Sequence, residues 1–197
     1  KATYSLKFWP NLPEMPIIVP IIASILVGVM FGAFNGWTIS KLKVPAFLAT
    51  LGSQMVIFGV ASLYFNKKPN NSQPLGSFTK SFSTLGTGSV LGIPYIVIIA
   101  VVCMAIVWML YNKTCLGKEI FAVGGNMEAA RVSGINVFKI QMVTFTLAGA
   151  FYALAGCLEA ARTGGATSAY GAGYELDAIA SCIVGGCSIT GGVGTVG

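Results

Sequence analysis

Histidine is absent from the chain. That removes the commonest general base and the commonest metal ligand. A Ser-His-Asp or Cys-His site cannot be assembled from this chain's own residues. Charge is scarce as well: 9% of the 197 residues are Asp, Glu, Lys or Arg, against roughly 25% in ordinary soluble domains. So little charge cannot cover a water-soluble globule, which argues against a soluble enzyme, a disordered tail and a secreted disulfide scaffold. Acidic residues are the scarcer sign, 6 against 12 basic. The basic residues are dispersed and flank apolar runs, with no basic stripe or base-stacking motif, so nucleic acid is not an expected partner. Cysteine is sparse and carries no CxxC spacing: Cys103, Cys115, Cys157, Cys182 and Cys187. Four of them lie in apolar or Gly-rich stretches, where cysteine acts as a small hydrophobe. Cys115, between Lys113 and Lys118, alone has neighbours that favour a thiolate, although an incidental small residue is the plainer reading.

What is abundant is apolar. The chain is 55% hydrophobic with 25 glycines, and its mean hydropathy is +0.78. A helix crossing the hydrocarbon core needs about 20 apolar residues. Four stretches meet or approach that length: 15–40, 44–66, 93–112 and 140–158. The expected fold is all-α, a polytopic transmembrane helical bundle. Lys41-Leu42-Lys43 separates the first two spans, which predicts an antiparallel hairpin turning at the membrane surface. Gly28, Gly32 and Gly36 recur every four residues, a spacing that lets helix backbones approach closely in lipid. Gly149 and Gly156 on the fourth span are read as a second small-residue packing face.

Between the spans, 67–92 is rich in Pro, Asn, Ser, Thr and Gly. It is read as a loop outside the bilayer, long enough for a short structured excursion. The segment 176–197 is too polar and glycine-rich for a lipid-facing helix and is read as a partial span or re-entrant element. Asp177 suits its N-cap. Glu159 and Arg162 are spaced for an ion pair at a helix end. Trp37, Trp108, Tyr64, Tyr95 and Tyr111 lie near span ends, as an interfacial aromatic belt does. By alternation, a cytoplasmic 113–139 places Lys41 and Lys43 on the same side and puts 67–92 and 163–175 outside. Counting Lys and Arg gives six on each side and does not orient the chain. Lacking Met at position 1 and stopping inside a glycine run, the chain is expected to belong to a longer protein with further membrane helices at both ends.

The most informative polar stretch lies in 113–139. Asn126 is an N-cap residue, and Glu128 stands in the first turn, where its charge suits the helix dipole. Arg131 is three residues on and can pair with Glu128. Gly134 is a natural terminator. The pattern predicts a helix over 127–133. So short a helix is marginal alone and must dock either on its own membrane helices or on a partner. The C-terminal glycines form neither a GxGxxG after a strand nor a P-loop, so no nucleotide site is expected.

Glu128-Ala129-Ala130 followed by Gly134 resembles the EAA-x-x-x-G pattern of ABC-importer permeases. The stretches 117–126, Tyr174-Glu175-Leu176-Asp177, Gly191-Gly192-Val193-Gly194-Thr195 and Pro45-Ala46-Phe47-Leu48 resemble the simple-sugar importer permeases (ribose, xylose and galactose type). Leu63-Tyr64, 108–114 and 158–162 look most like the galactose members. The resemblance spans nearly everything from Asn35 onward. It implies a permease subunit of an ATP-driven importer of a simple sugar in the bacterial cytoplasmic membrane, not itself an enzyme. It implies no cofactor in this chain, ATP and Mg belonging to a cytoplasmic ABC ATPase dimer. That dimer would sit against a coupling helix bearing Asn126, Glu128, Ala129, Ala130, Arg131 and Gly134. The other implied partners are a second permease subunit, as a homodimer, an extracytoplasmic sugar-binding protein and membrane lipid. Two rival classes are a secondary transporter or channel for a small polar solute, and a membrane scaffold without a transport path.

Overall fold

A computed structural model describes residues 16–68, 71–76, 78–188 and 190–196. Met15, taken as the start of the first span, lies outside them, as do Lys1, Lys7, Pro69, Asn70, Ile189 and Gly197. The described residues form eight helices and one two-stranded hairpin. Four helices are long and apolar enough to cross a membrane: α1 (Ile18–Leu42), α2 (Ala46–Asn66), α4 (Tyr95–Lys113) and α7 (Val137–Thr163). The fold is an all-α polytopic membrane bundle.

Helix α1 ends at Lys43, which adopts the left-handed conformation (φ 54°). Pro45 disfavours helical geometry at Val44 before it, so the chain turns in three residues and α2 starts at Ala46. The tightest packing is between α1 and α7, which run antiparallel. A Cβ added at Gly28 would strike the Gly149 carbonyl and the Ala153 Cβ, and one at Gly32 would strike the Phe145 carbonyl. At Gly36 the approach is looser, 3.1 Å to the Met142 Cα. In lipid no hydrophobic force brings helices together, so contact this close supplies dispersion that bulkier residues would prevent. Gly156, expected on the same packing face, makes no such contact among the described residues: an added Cβ there meets nothing within 4 Å, and the residue lines a cavity of about 1040 Å³.

At the far end from the Lys41–Lys43 turn, the 67–92 region is more structured than the sequence suggested. Helix α3 (Lys80–Thr87) lies against α7. Gly86 sets its backbone directly on Ala161 and Arg162, and Ala161 is fully buried. A hairpin follows, β1 (Ser89–Val90) with β2 (Ile93–Pro94). The third span therefore starts at Tyr95 rather than at 93. Leu75 and Ala166 exchange backbone hydrogen bonds at 2.9 and 2.7 Å, tying the two loops at this end together.

Helix α7 overruns the expected 140–158 at both ends. Asn136 caps its start by accepting from the Lys139 N–H at 3.0 Å, and left-handed Gly164 (φ 68°) stops it. Glu159 and Arg162 stand 3.9 Å apart on its last turns. Helix α8 (Tyr174–Val184) begins after Gly173 (φ 90°). Asp177 is thus not the cap; it shares the first turn with Glu175.

Candidate functional site

The 113–139 segment folds as two short helices. Thr114 caps α5 (Cys115–Gly125), accepting from the Gly117 N–H at 3.3 Å. Sequence reasoning missed α5, whose three glycines weaken its helical signal. Asn126 ends α5 and begins α6 (Met127–Val132). Its side-chain oxygen accepts from the Ala129 N–H at 3.0 Å, satisfying one of the orphan donors of the helix start.

The other end closes equally well. The Gly134 N–H donates to the Arg131 carbonyl at 3.1 Å, and the Ile135 N–H to the Ala130 carbonyl at 3.0 Å. These two bonds are the Schellman pair, and left-handed Gly134 (φ 86°) permits them. The helix is one residue shorter than expected, because Ser133 is the C-cap.

Two faces of α6 differ sharply. Ala130 is buried in a cluster with Val123, Val137 and Ile140, with Ile135 packed against it. Glu128 and Arg131 point outward, paired at 2.8 Å with side chains 76% and 53% exposed. Val132 is 89% exposed. Ala129 is exposed beside them. Helix α6 seats on its own chain through Ala130 and leaves an acid–base pair and an apolar residue exposed. An exposed pair of this kind contributes about 0.2–1 kcal/mol to folding. Its value to stability is therefore slight.

Two neighbours complete the site. A groove of about 620 Å³ runs between α6 and the α1–α2 turn, lined by Lys43, Pro45, Met127, Glu128, Arg131 and Phe138. On the other side, the glycine run after α8 abuts the end of α5. A Cβ at Gly124 would come within 2.7 Å of the Gly192 nitrogen, and one at Gly192 within 2.5 Å of the Gly125 Cα. Sequence reasoning did not pair these two glycine clusters; their shared lack of side chains was the one available signal.

The family described as "Branched-chain amino acid transport system / permease component" matches residues 2–196. The chain belongs to this family. Among the permeases it resembles, the galactose/methyl galactoside import permease protein of Escherichia coli (strain K12) is 45% identical over 194 residues, covering 96% of this chain and 57% of that protein. The protein of the same description in Treponema pallidum (strain Nichols) is 39% identical, covering 95% of this chain and 36% of that one. The ribose import permease protein of Escherichia coli (strain K12) is 39% identical, covering 93% and 57%. The chain spans little more than half the length of most of these permeases. No solved structure matches it. As a permease of this family with four apolar helices, it is a multi-pass membrane protein.

Proposed function

We propose that this chain is the central part of the membrane-spanning subunit of an ATP-driven importer of a simple sugar, galactose or methyl galactoside first, in the bacterial cytoplasmic membrane. The family description names branched-chain amino acids. The sugar reading rests on relatives of 39–45% identity named for galactose and ribose import.

The observation that carries the reading is α6. It is too short to hold itself, yet it is capped at both ends, seated through Ala130, and exposes Glu128, Arg131 and Val132. A rigid, protruding helix with little role in stability is what a docking element requires. In this reading a cytoplasmic ABC ATPase dimer, which carries ATP and Mg, grips α6. A second permease copy completes the pathway. An extracytoplasmic sugar-binding protein delivers sugar at the loops joined by Leu75 and Ala166. Closure of the ATPases displaces α6 and repacks the spans, giving alternating access.

The test is co-purification of the full-length permease with its ATPase, together with galactose uptake. Glu128→Lys loses the exposed ion pair and the first-turn charge and should cost about 1–2 kcal/mol of stability, leaving the membrane helices folded, while ATPase binding and uptake are lost. Undiminished binding and uptake would move the contact away from α6.

A further inference from the structure

Gln54 is the ninth of the 21 residues of α2. It lies about 12 Å from the start of a helix about 31 Å long, well inside a hydrocarbon layer of about 30 Å. Its Nε2 donates to Glu175 Oε1 at 3.2 Å, and Glu175 Oε2 accepts from the Gly173 N–H at 3.1 Å. The carboxylate therefore sits at the same depth. Both side chains are exposed. An exposed carboxylate at this depth cannot face lipid and requires water or polar groups around it.

Two features of the surroundings agree. Thr50 and Ile57, one turn before and after Gln54 on the same face of α2, line the cavity of about 1040 Å³. Asn35 lines it too, and its buried Oδ1 has no hydrogen-bond partner among the described residues. A buried acceptor left unmet in this way is costly unless water or a solute donates to it.

The route of the chain explains how Glu175 reaches mid-depth. After Ala166 it turns inward through left-handed Gly171 and Gly173. The 11 residues of α8 then span about 16 Å, about half a membrane, and the glycine run beyond meets Gly124 and Gly125. Helix α8 is thus a half-helix opening at the midplane, as discontinuous transport elements do. A bare helix N-terminus there would attract an anion. Here Glu175 and Asp177 already occupy the first turn, which repels anions and favours a neutral solute.

We propose that Gln54 and Glu175 line the aqueous path at mid-membrane depth and hydrogen-bond the hydroxyls of a neutral sugar in transit. This inference rests on the importer reading. The carboxylate accepts from sugar hydroxyls, and the amide both donates and accepts. Two such groups hold a sugar weakly, which suits a passage rather than a store.

The test uses the full-length permease reconstituted with its ATPase and sugar-binding protein. Gln54→Leu and Glu175→Leu should each lower galactose uptake about tenfold, the loss of one hydrogen bond, with co-purification of the ATPase retained as the check on folding. Glu175→Gln, which keeps hydrogen bonding without charge, should stay within about threefold of wild type. In a variant without native cysteines, Gln54→Cys should react with a water-soluble thiosulfonate reagent, and galactose should slow that reaction. Unchanged uptake in both Leu variants, or a Gln54→Cys that does not react, overturns the proposal. If the wild-type assembly takes up neither galactose nor ribose, the importer reading falls first. Labelling without protection by either sugar then overturns the contact as well.

Discussion

Left-handed backbone falls on a glycine at one turn and on a leucine at another. At Gly134 (φ 86°) the conformation closes α6, and the chain supplies the residue that adopts it freely. Gly134→Ala should cost about 1–2 kcal/mol and fray the end of the helix, seen as faster hydrogen exchange at the amides of residue 134 and Ile135, the donors of the closing bonds. At the hairpin tip, Leu91 (φ 51°) and Gly92 (φ 83°) make the doubly left-handed turn that favours Asn-Gly. Leu91 is nonetheless 97% exposed. Leu91→Asn should therefore raise the unfolding midpoint of the detergent-solubilised protein, by about 1 kcal/mol of stability. The cap residues of α6 were legible because Asn126, Glu128 and Gly134 each act within a few residues of themselves. The hairpin was not, because a leucine hides the turn that the following glycine permits.

Among the helices, one contact organises the rest. Helices α1 and α7 meet through Gly28, Gly32 and Gly149 with essentially no side chain between them. Gly32→Leu should disrupt this crossing by about 1–3 kcal/mol, measured as lost thermal stability in detergent. Gly156→Ala should be tolerated, since open space surrounds it. Spacing alone identified the glycines but could not say which α7 residues face them. Gly149 and Gly156 are seven apart and share a face, yet only one lies where the helices touch. The membrane spans themselves were readable to within a few residues, because the bilayer fixes their length. Helix α8 was read as a partial span, but its meeting with Gln54 joins residues 121 apart, and no local pattern encodes that.

For the molecule as a whole, the expected orientation predicts which compartment sees each loop. A cysteine at Ser72, beside the exposed end of α2, should label only from outside the cell. A cysteine at Glu128 should label only from the cytoplasm. The reverse result would invert the whole bundle.

One joint between its parts behaves asymmetrically. Where Gly191 and Gly192 rest on Gly124 and Gly125, backbone meets backbone. Among the described residues no backbone hydrogen bond crosses that contact. Such a joint resists compression steeply and is held against separation by dispersion alone. A push on α5, passed from α6 next to it, would therefore reach α8 and Glu175 more firmly than a pull would.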